Sequence, residues 1–128
     1  FSVIKKNPYV VLEVALELDK KEQKEIKKKM EDFSNRRREK QPLEYPSAGS
    51  TFKRPKGYYA GKLIMDSNLR GFKIGGAQVS EKHCGFIINK DNAAAKDIYL
   101  LVKEVQKRVK ETSGVMLETE IIFLGEFE

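Results

Sequence analysis

A chain of 128 residues with a net charge of +6 has room for one domain with a real core and not for two. Its 40% hydrophobic and 34% charged residues describe an ordinary soluble protein, and no apolar run approaches the ~20 residues that span a bilayer. One cysteine, Cys84, excludes an internal disulfide and fits a reducing compartment, and with the single His83 it falls short of the roughly four ligands of a structural zinc site.

No signal-peptide pattern opens the chain, and the expected location is cytoplasmic. The first residue is Phe1 rather than Met, and a strand pattern begins almost at once. The chain therefore reads as the C-terminal part of something longer. Val10, Leu12, Val14, Leu16 and Leu18 share one face while Glu13 and Glu17 fall on the other, which predicts a half-buried strand over 9–18. Asp19, with Glu22 three residues on, offers a helix cap. The helix that follows runs to about Glu39 and carries only a thin apolar stripe of Leu18, Ile26, Met30 and Phe33. Gln41-Pro42 ends it. From Lys20 to Lys40 ten basic residues face five acidic ones, a local excess of five in a total of six. That is one solvated helix face rather than a groove lined with charge and stacking aromatics, so nucleic acid is not the favoured partner.

The stretch from Tyr45 to Ile64 holds the chemistry. Pro46 and Gly49 predict a turn, with the Ser50 and Thr51 hydroxyls beside it. Lys53, Arg54 and Lys56 place three cations within four positions, a concentration suited to phosphate or carboxylate. A short helix is expected next, with Tyr59, Leu63 and Ile64 on one side. The same residues also read as a basic surface loop with incidental hydroxyls. Gly71 suits a left-handed helix exit. Residues 72–79 read as one strand, broken by Gly75-Gly76 as a bulge or a point of close backbone approach. Phe86–Ile88 resembles a buried strand. Asp91 or Asn92 should cap the clearest helix, whose Ile98, Leu101, Val102, Val105 and Val109 fall at helical spacing before Gly114 stops it. A last strand is expected over 115–124, with Val115, Leu117, Ile121 and Phe123 on one face and Glu118 and Glu120 on the other. The elements mix without a repeating βαβ unit. The expected class is α+β, with a mixed or antiparallel sheet, two long helices and one short helix.

Ser50 could serve as a nucleophile, a proton donor or a plain turn residue. A nucleophilic serine needs a base, and the Gly-x-Ser-x-Gly elbow is absent. His83 reads first as a partly buried donor to backbone. Glu118 and Glu120 share a strand face, and periodicity does not choose between them. No Gly-x-Gly-x-x-Gly or P-loop occurs, so no nucleotide cofactor is visibly held here.

Several strings together carry a family resemblance: Pro42-Leu-Glu-Tyr-Pro-Ser-Ala-Gly-Ser-Thr-Phe-Lys-Arg-Pro55, Ala60-Gly-Lys-Leu-Ile64, Ile74-Gly-Gly76, Val79-Ser-Glu-Lys-His83, Phe86-Ile-Ile-Asn89 and Leu117-Glu-Thr-Glu-Ile121. From about residue 20 to the end, the chain resembles the C-terminal substrate-binding domain of the UDP-N-acetylenolpyruvoylglucosamine reductases, also called UDP-N-acetylmuramate dehydrogenases. The resemblance implies an oxidoreductase of peptidoglycan precursor synthesis that uses FAD and NADPH to convert UDP-N-acetylglucosamine enolpyruvate to UDP-N-acetylmuramate. It implies that FAD lies mainly in N-terminal domains outside this chain, with which residues 19–128 would work and of which residues 1–18 would be the last strand. A catalytic arginine is also expected from that outside part. By position, Ser50 matches the family's proton-donor serine and Glu120 its catalytic glutamate. Lys40 resembles a lysine that meets the substrate diphosphate. Arg54 and His83 stand at substrate-lining positions where some members carry asparagine and glutamine. The isolated chain is expected to be inactive. The other reading is a non-catalytic basic α+β module for an anionic partner such as RNA.

Overall fold

The computed structural model describes residues 9–127, which fall into two compact units divided between Phe33 and Ser34. In the first unit, residues 9–22 form neither helix nor strand, and Val10, Val14, Leu16 and Leu18 are exposed, as is Leu12 at 93%. The strand expected over 9–18 is not formed. A strand needs a neighbour that takes up its backbone donors and acceptors and covers its apolar face, and the described residues of this unit supply none. Helix α1 (Gln23–Lys40) begins four residues after Asp19, so Asp19 is not its cap, and it buries no residue. Its thin stripe of Ile26, Met30 and Phe33 stays exposed. None of the helices formed by the described residues is long and apolar enough to cross a membrane.

The second unit is built on four antiparallel strands: β1 (Ser47–Ser50), β2 (Lys73–Ile74), β3 (Ala77–Val79) and β4 (Phe86–Asn89), in the order β1-β4-β3-β2. With α1, the short α2 (Ala60–Asp66) and α3 (Ala95–Ser113), this is the expected α+β class. Leu101, Val102, Val105 and Val109 of α3 are fully buried in the core that includes Ala77, Val79, Ile87, Ile64, Leu69 and Leu117. Each such side chain contributes about 1.5–3 kcal/mol by leaving water.

Residues 72–79 are a hairpin rather than one bulged strand. Ile74 pairs with Ala77 across Gly75-Gly76, and Gly75 has φ +52°. The close approach inferred from the two glycines is real, since a Cβ on Gly76 would overlap the Asp91 carbonyl oxygen. Asp97 Oδ2 accepts the N–H groups of Gly76 at 3.3 Å and Ala94 at 3.0 Å, which ties this turn to the start of α3. Ala94 is therefore the first cap residue, not Asp91 or Asn92; Asn92 is engaged in a left-handed turn at φ +48°. Gly114 does stop α3, at φ +73° with its N–H on the Lys110 carbonyl.

The strand expected over 115–124 reduces to one bridge, Phe52 to Thr119. Lys53 N–H donates to the Glu118 carbonyl and Glu120 N–H to the Thr51 carbonyl, both at 2.9 Å. The alternation was a sound signal for the face: Leu117 is buried and Val115, Ile121 and Phe123 pack on the core, while Ile122 and Leu124 are exposed. Pro55, two residues past Lys53, has no N–H to offer a longer ladder.

Candidate functional site

The segment around Ser50 is a bulged strand, not the expected turn. Ser47 pairs with Ile88 and Ser50 with Phe86, so β1 spends one more residue than β4 over the same span. Gly49 takes up the excess at φ +85°, a conformation that glycine adopts without a Cβ penalty. A bulge re-aims the side chains that follow it. Ser50 lines an open cleft, with its Oγ donating to the Phe52 carbonyl at 3.3 Å. Thr51 goes inward instead. It is buried, and its Oγ1 accepts the Ile87 N–H at 3.0 Å. The two adjacent hydroxyls thus separate into a reactive candidate and a structural one.

The cleft has a volume of about 430 Å³ and brings Ser50, Arg54 and His83 together from distant parts of the chain. The residues lining it include Arg70 and Lys62 but no Asp or Glu. Lys62 is neutralised by Asp66 at 2.6 Å. Arg54 instead lies over the Tyr59 ring, 4.1 Å from its centroid, and Arg70 reaches the Met65 sulfur at 3.3 Å. These arginines keep their positive charge without a carboxylate partner among the described residues. Two such guanidinium groups make the site attractive to an anion.

His83 is exposed, and its Nδ1 accepts the Gly85 N–H at 3.1 Å. It is therefore not the partly buried donor to backbone expected of a structural histidine. With Nδ1 occupied as acceptor, the neutral ring carries its proton on Nε2 and offers a donor to a ligand. The ring also stands edge-on to Phe86 at 5.0 Å. Two glycines make room for it: a Cβ on Gly85 would come within 2.9 Å of His83 Cε1, and one on Gly61 within 3.2 Å of the Gly85 nitrogen.

Other expected residues lie elsewhere. Lys53 is paired with Glu118 at 3.0 Å, so of the three clustered cations only Arg54 lines the cleft. Tyr59, expected on one side of the short helix with Leu63 and Ile64, is instead 64% exposed at the α2 cap, and Ala60, Leu63 and Ile64 are the buried residues. Glu120 has an exposed side chain and does not line the cleft, although its backbone is tied to Thr51, next to Ser50. Lys40 is the exposed last residue of α1 and does not line the cleft either. Arg70 and the Tyr59 face were missed in the sequence. Neither falls in a motif, and only the placement of α2 reveals them. At the adjoining turn Glu44 is held below the usual carboxylate range, first by its own backbone N–H and further by Lys82 at 3.3 Å. Among the described residues no three His, Cys, Asp or Glu side chains gather to hold a metal.

Fold and site together define a small α+β domain with an open cleft that is lined by Arg54, Arg70 and His83, bears the Ser50 hydroxyl, and has no carboxylate in its lining. Residues 41–124 match the family model for UDP-N-acetylenolpyruvoylglucosamine reductase, C-terminal domain. The UDP-N-acetylenolpyruvoylglucosamine reductase of Clostridium perfringens (strain SM101) is 59% identical over 97% of this chain and 41% of its own length. That of Lachnoclostridium phytofermentans is 55% identical over 98% of this chain and 40% of its own. A crystal structure of UDP-N-acetylenolpyruvylglucosamine reductase from Thermus caldophilus superimposes with a TM-score of 0.66 at 38% identity, covering 81% of this chain and 36% of that one. The chain belongs to the UDP-N-acetylenolpyruvoylglucosamine reductase family, in its C-terminal domain, and spans about two fifths of the length of these curated relatives. The similarity also reaches further toward the N-terminus than the motifs alone indicated, since 124 residues align.

Proposed function

We propose that this chain is the substrate-binding and proton-donating domain of an FAD- and NADPH-dependent reductase that converts UDP-N-acetylglucosamine enolpyruvate to UDP-N-acetylmuramate for peptidoglycan precursor synthesis. The observation that carries the reading is the carboxylate-free cleft in which Ser50, Arg54 and His83 meet. A UDP-sugar bearing an enolpyruvyl carboxylate presents anions to Arg54 and to the Nε2 donor of His83, and a reacting carbon to Ser50. Lys40, at the end of α1, is proposed as a contact to the diphosphate.

FAD does not fit as a resident of these residues alone. No run of glycine-rich backbone opens a long helix at the cleft, and 430 Å³ suits a sugar-sized part of a ligand rather than a dinucleotide. Its proposed holders are the family's other domains, and when bound it supplies the hydride. This chain's part is what comes next. Hydride addition to the enolpyruvyl methylene carbon leaves negative charge on the adjacent carbon, delocalised into the carboxylate. That carbon is basic enough to take the Ser50 Oγ proton, while Arg54 binds the carboxylate in ground state and transition state alike. Glu120 is proposed as the second acid, acting by donating a hydrogen bond when protonated. Such a state needs burial, and this chain leaves the side chain exposed, so the cover must come from the other domains or the substrate.

The test is rapid mixing with the complete enzyme. Ser50→Ala should leave reduction of the flavin by NADPH unchanged and slow reoxidation by the enolpyruvyl substrate by about 10²–10⁴-fold, the range for a lost general acid. Glu120→Gln should impair the same half-reaction, whereas Glu118→Gln, whose carboxylate is engaged with Lys53, should do little. Equal slowing of both halves in Ser50→Ala would remove the proton-donor role.

A further inference from the structure

Arg54 enters the cleft from irregular backbone between β1 and α2, and a guanidinium on such a segment has no fixed direction of its own. Among the described residues it makes no ion pair or hydrogen bond. Glu118, which borders the same loop, is committed to Lys53 at 3.0 Å. What holds the guanidinium is the face of Tyr59, at 4.1 Å from Cζ to ring centroid. The backbone that carries the ring is fixed. Tyr59 is the cap of α2, with φ −117° and ψ 120°, and its carbonyl accepts the Lys62 and Leu63 N–H groups at 3.0 and 3.1 Å. The next residue, Ala60, is locked into the core. Stacking engages the flat face of a guanidinium and leaves its in-plane N–H fork open to a carboxylate or phosphate. An ion pair would have occupied that fork.

From this we infer that Tyr59 is the positioning residue for Arg54, holding it aimed into the cleft with its donors unspent so that the substrate's anionic group meets a preset fork. The inference rests on the proposed function for the identity of that group. Positioning lowers the rotamer entropy lost on binding rather than the barrier to reaction, so it acts on KM. The aromatic face carries the effect, and the phenolic hydroxyl has no part in it.

The experiment is steady-state kinetics of the holoenzyme with UDP-N-acetylglucosamine enolpyruvate. Tyr59→Leu should raise KM for this substrate by about 3- to 10-fold, the scale of a partly lost side-chain ordering, with kcat within about 2-fold of wild type. Tyr59→Phe should restore the wild-type KM. In an Arg54→Ala background Tyr59→Leu should add nothing, because the two act as one unit. An unchanged KM in Tyr59→Leu overturns the inference. So does an effect that persists undiminished without Arg54, which would mean that the ring touches the ligand itself. So does a fall in kcat that matches the rise in KM. If wild-type holoenzyme does not turn over this substrate, the proposed function fails. Crystallography of Tyr59→Leu would still decide the inference, since an Arg54 side chain that keeps its place without the ring overturns it.

Discussion

Residues 9–18 and 115–124 each set a row of apolar side chains at alternate positions, yet only the second stretch is packed. Leu117 is 1% exposed and its neighbours on that face lie on the core, whereas Leu12 is 93% exposed. The tail succeeds because residues 51–53 offer it matching backbone groups and α3 offers it an apolar wall. Gln106 Nε2 on α3 also donates to the Leu117 carbonyl at 2.8 Å. Tyr99 stacks with Phe127 and stands edge-on to Phe123, each pair 5.2 Å between centroids. Alternation thus specifies a face, and a strand appears only where another segment meets that face.

The largest expected effect tests this contrast directly. Leu117→Ala should destabilise the chain by about 2–5 kcal/mol in urea unfolding, as cavity-forming core substitutions do. Leu12→Ala should stay within about 0.5 kcal/mol. If Leu12→Ala costs more than about 1 kcal/mol in the complete enzyme but not in this chain, the first segment finds its missing partner in the other domains.

The same physics explains what the sequence could show. The α3 face was readable because five apolar residues at helical spacing have one way to be buried together, and Gly114 admits only a stop. The mixture of helices with short strands gave the class. The bulge at Gly49 was not readable: the Pro46-to-Gly49 string satisfies a turn equally well, and the choice falls to β4, 36 residues beyond. Within the site, Ser50, Arg54 and His83 were found by resemblance and are brought together, while Arg70 and Tyr59 acquire their places only from how α2 packs. The assignment of Glu118 to a surface pair was likewise beyond periodicity, because both glutamates share one face until Lys53 takes one of them.

A second, smaller effect sharpens the comparison through the segment on which the tail leans. Gly49 sets the register that presents Thr51 and Lys53 to the tail. Its φ of +85° should cost an alanine about 1–2 kcal/mol, even though a Cβ there meets no neighbouring atom. Gly49→Ala should therefore lower stability through backbone strain alone. It should also speed amide exchange at Glu120 and Lys53, while exchange over 9–18 stays as fast as before. Retained protection at Glu120 would show that the α3 wall, not the strand register, holds the tail.

The smallest effect comes from exposed charge, which ties loops without packing anything. Glu44 and Lys82 are both exposed, so their pair is screened by water and salt. Its carboxylate is nonetheless held below the usual range in the folded chain, chiefly by its own backbone N–H. A folded pKa below the unfolded one means that the unfolded chain binds the proton more readily. The contribution is therefore present above the ordinary carboxylate pKa and is lost as pH falls through the lowered folded value. Urea midpoints of wild type and Glu44→Gln should differ slightly at pH 6, in favour of wild type, and converge in acid below that folded value. Lys82→Met should shrink the gap only in part, because the backbone N–H remains. A gap that Lys82→Met abolishes would show that the salt bridge rather than the turn geometry holds Glu44 ionised, and one that widens toward acid would show that folding does not lower its pKa.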